Sequence, residues 1–134
     1  MRHVLIYGDS NTWGYIPVSR SRYGGDTRWP GVLQKILGKG YRVIEEGLNG
    51  RTTVLEDPLQ KGRNGSTYLL PCLESHRPLD LVVIMLGTND MKHRYGVSAE
   101  EIAMGMEVLI KIVKNSEASP TAVRHPSSFS RRPA

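Results

Sequence analysis

Three short segments carry residue types that could do acyl chemistry. GDSNTWG (residues 8–14) sets Ser10 between Asp9 and Asn11, just past an apolar run. GLNGRTT (47–53) offers Gly50, and GTNDMK (87–92) offers Asn89. A serine hydroxyl exposed by a tight turn can act as a nucleophile. A glycine lets its backbone N–H approach a ligand closely, and an asparagine carboxamide donates two hydrogens. Taken singly, each has an ordinary reading as a turn, loop or Asx-turn residue. Brought together, they would set a hydroxyl against an oxyanion hole. No Gly-Lys-Ser/Thr follows GDS and the spacing is not a dinucleotide fingerprint, which argues against a nucleotide-binding half-Rossmann unit.

Convergence requires one rim, and the patterning predicts one. A continuous apolar run at 3–7 (HVLIY) reads as a strand buried on both faces. A helix follows at 29–37, with Thr27 or Asp26 as its cap, Pro30 in its first turn and Gly38 at its end. A second strand is expected at 41–45 and a second helix at about 66–76, where Pro71 argues against a clean helix. The run LVVIML (81–86) is the strongest strand pattern, closed by GTND. A third helix starts at a capping box, Ser98 and Glu101, and carries Ile102, Met106, Leu109 and Val113 on one face. Strand–helix alternation implies an α/β fold with a parallel sheet and right-handed crossovers. All three candidate loops follow strands, so they share the rim where such sheets bind ligands.

The 134 residues suit one domain, and 39% apolar with 23% charged residues suits a globular protein. No apolar run reaches membrane-spanning length, the N-terminus does not read as a signal peptide, and neither a membrane nor a nucleic acid is an expected partner. The net charge is +5, but its basic residues are scattered, with small clusters at Arg20/Arg22 and Arg131/Arg132 that lack an aromatic platform. The single cysteine, Cys72, forms no internal disulfide, reads as a small core residue and suits a reducing, cytoplasmic setting.

The three blocks together resemble the SGNH (GDSL) hydrolase family, over about residues 3–114. The longer strings VIEEGLNGRTT and LPCLESHRPLDLVVIMLGTND are most similar to its bacterial arylesterase/acyltransferase branch. The resemblance implies a flavodoxin-like three-layer α/β/α fold of which only the first three βα units are present. It implies Ser10 as nucleophile, and the N–H groups of Ser10 and Gly50 with the Asn89 side chain as oxyanion hole. Thr12, Trp13, Thr88 and Lys92 would line the acyl pocket. Asp9 belongs to the same substrate side, mainly orienting the turn. The implied substrate is a small acyl ester, cleaved through an acyl-serine or transferred to an alcohol, with neither cofactor nor metal, by a protein that is often a homo-oligomer.

Family chains close on an Asp-x-x-His block, whose histidine is the general base and whose aspartate holds its tautomer. The one Asp-x-x-His string, Asp90 to His93, lies in the third segment and does not close the chain, and His3, His76, His93 and His125 are poor substitutes. His3 lies at the wrong end of its strand, and His76 suits a helix C-terminus. Residues 115–134 are rich in Ser and Pro, with no periodicity, and read as an irregular, disordered tail after a 1–114 domain part. The abrupt change suggests a chain truncated or frame-shifted after about residue 115, which reading the encoding DNA beyond that codon would test. On the implied strand order, 2-1-3-4-5, the third strand would then be an apolar edge open to another chain. The alternative is an inactive remnant that binds acyl groups or pairs through that edge.

Overall fold

A computed structural model describes residues 1–118. Its order is β1 (Arg2–Gly8), α1 (Ser10–Trp13), α2 (Trp29–Leu37), β2 (Tyr41–Gly47), α3 (Gly65–His76), β3 (Leu81–Met85) and α4 (Ala99–Asn115), with 3-10 turns at Asn89–Met91 and His93–Tyr95. The sheet is parallel in the order β2-β1-β3. This is the expected α/β architecture, with β1 central and β3 at an edge.

Side chains alternate across a strand, and β1 is buried on both faces. Leu5 and Tyr7 join Leu69, Cys72, Leu73, Leu79, Leu109 and Ala118 in the main core, which α3 and α4 close over one face. Val4 and Ile6 are buried toward the other. The phenol of Tyr7 donates to the Gly65 carbonyl (2.7 Å), so this buried hydroxyl is satisfied at the start of α3.

Several local expectations change. α2 is capped by Arg28 with no side-chain bond, in place of Thr27 or Asp26. Pro71 does not break α3: the helix runs unbroken through it. Pro71 lacks one N–H, while Leu69, Cys72 and Leu73 bury the turns on either side of it. β3 ends at Met85 and is less buried than β1, with Leu81 and Met85 exposed. The capping box is present: Glu101 N–H donates to Ser98 Oγ (3.2 Å), and Ser98 N–H to Glu101 Oε1 (2.8 Å). Of the expected irregular tail, Asn115 ends α4 and Ala118 is buried, its carbonyl accepting from Leu79 N–H (2.6 Å). Residues 119–134, with His125, lie outside the described residues. No described helix is long and apolar enough to cross a membrane.

Candidate active site

The turn that carries Ser10 is built on backbone contacts. β1 ends at Gly8, which pairs with Gly47 across the sheet. A side chain at Gly8 would overlap Thr12, and one at Gly47 would overlap the Trp13 N–H, with Thr12 C and Trp13 Cα at 2.9 Å. α1 therefore lies directly on the two strand ends. Asp9 caps it, its carboxylate accepting from Asn11 N–H (3.0 Å), and Gly14 N–H closes on the Ser10 carbonyl (2.9 Å). Burial pushes the Asp9 carboxyl above the usual carboxylate range, opposed by hydrogen bonds from the turn's own backbone and by the Arg51 charge. Ser10 is half-buried, and its hydroxyl is hydrogen-bonded to no described residue.

Gly50 is buried in the loop after β2 at φ +81°, a conformation side chains rarely adopt. Asn89 follows β3 and donates from Nδ2 to the Arg51 carbonyl (3.0 Å). That bond uses one of its two amide hydrogens and fixes the plane of the other. Asp90 is buried, not presented to a ligand: it accepts from Thr53 N–H (3.0 Å) and from the Thr53 hydroxyl. The loops after β2 and β3 are thus tied to each other at two adjacent residues.

Of the residues expected on the substrate side, Asp9 and Thr12 are buried beneath the turn. They support it and present no surface to a ligand, because Gly8 brings Thr12 against the strand end. Trp13 is half-buried, with the Arg22 guanidinium 4.7 Å over its ring and Arg22 Nε donating to its carbonyl (2.7 Å). Thr88 is exposed and Lys92 half-buried. An apolar cleft of about 280 Å³ opens beside Asp90, between Val54 and Leu55 on one side and Val97, Met104 and Val108 on the other. Thr12, Trp13, Thr88 and Lys92 do not line it.

Arg51 is the residue that sequence reasoning missed. It is buried, and its Nη1 donates to the carbonyls of Gly8 (3.1 Å) and Glu46 (2.6 Å). Its guanidinium stacks 4.1 Å over Tyr7 and 5.5 Å from Tyr68. Through its own carbonyl it also orients Asn89. One side chain and its backbone therefore join the carboxyl ends of all three strand–loop units. The available signal was its place inside GLNGRTT, but residue type alone does not separate a buried arginine from a solvated one. Among the described histidines, His76 is bonded to Glu46 (2.6 Å), and none is hydrogen-bonded to Ser10.

Known proteins share this sequence and fold. The GDSL-like lipase/acylhydrolase family matches residues 6–132, beyond the segments quoted above. An M. smegmatis aryl esterase superimposes with a TM-score of 0.87 at 44% identity, over 91% of this chain and 59% of that one. A carbohydrate acetylesterase from Sinorhizobium meliloti gives a TM-score of 0.83 at 52% identity, over 86% of this chain and 55% of that one. An acetylxylan esterase of Xylanibacter ruminicola is 34% identical over 119 residues, 87% of this chain and 23% of that protein. The chain thus spans well under two thirds of these relatives' length. Sequence blocks, sheet order and superposition agree: the chain belongs to the GDSL-like lipase/acylhydrolase family, whose relatives here are carboxylic ester hydrolases.

Proposed function

We propose that these residues form the nucleophile and oxyanion-hole half of an SGNH-type esterase acting on small acyl esters, acetyl and aryl esters first among them. Ser10 attacks the acyl carbon, and the N–H groups of Ser10 and Gly50 with Asn89 Nδ2 hold the developing oxyanion. One observation carries the reading: Asn89 is locked by the Arg51 carbonyl, one residue after Gly50, so two of the three donors are set by one short loop. Arylesterase and acetylesterase relatives favour the ester class. Transfer of the acyl group to an alcohol follows from the same acyl-serine when water is outcompeted.

Without a base on Ser10, these 134 residues alone should be a slow catalyst. Disabling a serine–histidine pair costs on the order of 10⁶ in rate, while oxyanion stabilisation and binding retain about 10³–10⁴ over water. The test is p-nitrophenyl acetate turnover by the purified chain beside Ser10→Ala. Residual turnover that falls to background in the variant supports the proposal, and equal rates overturn it for this chain.

A second reading, a non-catalytic chain that pairs with another copy, is favoured by the bare apolar edge of β3. Equal rates in the first test, together with concentration-dependent association in sedimentation, would favour it.

A further inference from the structure

On the side that faces the end of β2, α3 presents Tyr68, Cys72 and His76 at successive four-residue intervals, which places them on one helix face. β2 lays Glu46 across that face. Glu46 Oε2 accepts from or pairs with His76 Nε2 (2.6 Å), and Oε1 accepts from the Tyr68 hydroxyl (3.3 Å). The Cys72 sulfur, a Glu46 carboxylate oxygen and a His76 ring nitrogen all lie within 4.8 Å of one another. We propose that Glu46, Cys72 and His76 form a site for Zn²⁺, bound through one thiolate, one imidazole and one carboxylate.

The donor set is borderline-soft, which suits zinc and disfavours magnesium or calcium. Tetrahedral zinc with these ligands needs donor–donor separations of about 3.3–3.6 Å. The Glu46–His76 contact, at 2.6 Å, opens to reach them, and the sulfur lies within 4.8 Å of both partners. Water fills the fourth position. Charge also balances, since a thiolate and a carboxylate together match the divalent ion. Cys72 is buried, while the His76 and Glu46 side chains keep 30% and 20% of their surface, so the ion enters from the histidine side.

Without a cation the thiol is held neutral. Burial and the Glu46 charge push Cys72 up to about 12, and nearby Arg51 lowers it only in part. A bound ion reverses this, so binding releases the thiol proton to solvent and tightens as pH rises. The groups facing the thiol are Glu46, Tyr68 and Arg51, with His76 one turn on. Arg51 keeps its bonds to the Gly8 and Glu46 carbonyls throughout. The occupied site clamps the end of β2 to α3, four residues before Gly50.

The experiment is titration of the full chain with Zn²⁺ and with Co²⁺ as a spectroscopic probe. One equivalent of Co²⁺ should give a near-ultraviolet thiolate charge-transfer band and the visible bands of tetrahedral cobalt, both displaced by Zn²⁺. Zn²⁺ should raise Tm reversibly to chelator, and Mg²⁺ or Ca²⁺ should not. Cys72→Ser should abolish the charge-transfer band. His76→Gln, at a half-exposed position, should weaken Zn²⁺ binding at least tenfold and serves where the cysteine variant folds poorly. The proposal is overturned if the wild-type chain gives no charge-transfer band, if the band survives Cys72→Ser, or if Ca²⁺ raises Tm as Zn²⁺ does. None of these readouts depends on esterase activity.

Discussion

Among the described residues, both outer strands of the sheet have a side with no strand beside it, and they differ in how that side is finished. Along β2, the Gln34 side chain from α2 stands in for a neighbouring strand. Its Nε2 donates to the Tyr41 carbonyl (2.8 Å) while its Oε1 accepts from Val43 N–H (2.7 Å), the pattern of a peptide unit in a ladder. Arg28 adds an ion pair to Glu45 (2.6 Å) on the same strand. Along β3, no hydrogen bond among the described residues reaches the outer backbone, and Leu81 and Met85 are 55% and 40% exposed. A sheet edge left in this condition is a template for another strand. The relatives, of which this chain spans 59% or less, have further chain with which to meet that need. Among the described residues, one side of the sheet is therefore finished by side chains and the other is left open.

The largest effect is expected from Arg51→Met, at the strand ends that the two sides share. It removes the buried guanidinium's bonds to the Gly8 and Glu46 carbonyls and its stack on Tyr7, and should cost about 2–4 kcal/mol in denaturant unfolding. Residual esterase turnover should fall with it, because Asn89 loses a fixed partner loop. Next is Gln34→Ala, which turns β2 into a second bare edge. A loss of about 1–2 kcal/mol is expected, with increased association in sedimentation velocity. If Gln34→Ala leaves both unchanged, the amide is not what finishes that edge.

Charging the open side is the converse change. Leu81→Lys and Met85→Lys should suppress concentration-dependent association while shifting stability by less than about 0.5 kcal/mol. An unaltered association constant would mean that copies meet elsewhere. The smallest effect concerns the segment after β3, which Arg94 ties back to Asp57 in the loop after β2 (2.7 Å and 3.2 Å). The Arg94 hydrogen bonds hold the Asp57 carboxyl down at about 2. A depressed carboxylate contributes stability above its unfolded value near 4, lost as pH falls toward 2. Tm should therefore drop across that window in the wild type and drop less in Asp57→Asn.

How much of this was legible varies with the physics involved. Unbroken apolarity at residues 3–7 marked the central strand, and Ser98 with Glu101 marked the start of α4, because both signals are local. Strand-end loops implied a shared rim, and the order β2-β1-β3 follows from the resemblance. Gln34 was not legible as an edge cap, since its role depends on how α2 docks. Arg51 and Asp90 were hidden for a similar reason: charged residues read as exposed until their buried partners are known. Thr12 was assigned to a ligand surface from its place beside Ser10, whereas the packing at Gly8 turns it inward. Pro71 shows the opposite error, a local rule outweighed by apolar packing on both sides.

The paired glycines at 8 and 47 have a consequence for how Ser10 can change over time. At Gly47 the turn rests on β2 through main-chain atoms alone, so no rotamer can be exchanged at that contact to raise, lower or tilt it. The height of the serine above the sheet is set by atomic radii, much as a bearing is set by the diameter of its balls. Drift among neighbouring side chains can reshape what the hydroxyl meets, but it has little purchase on where the hydroxyl stands.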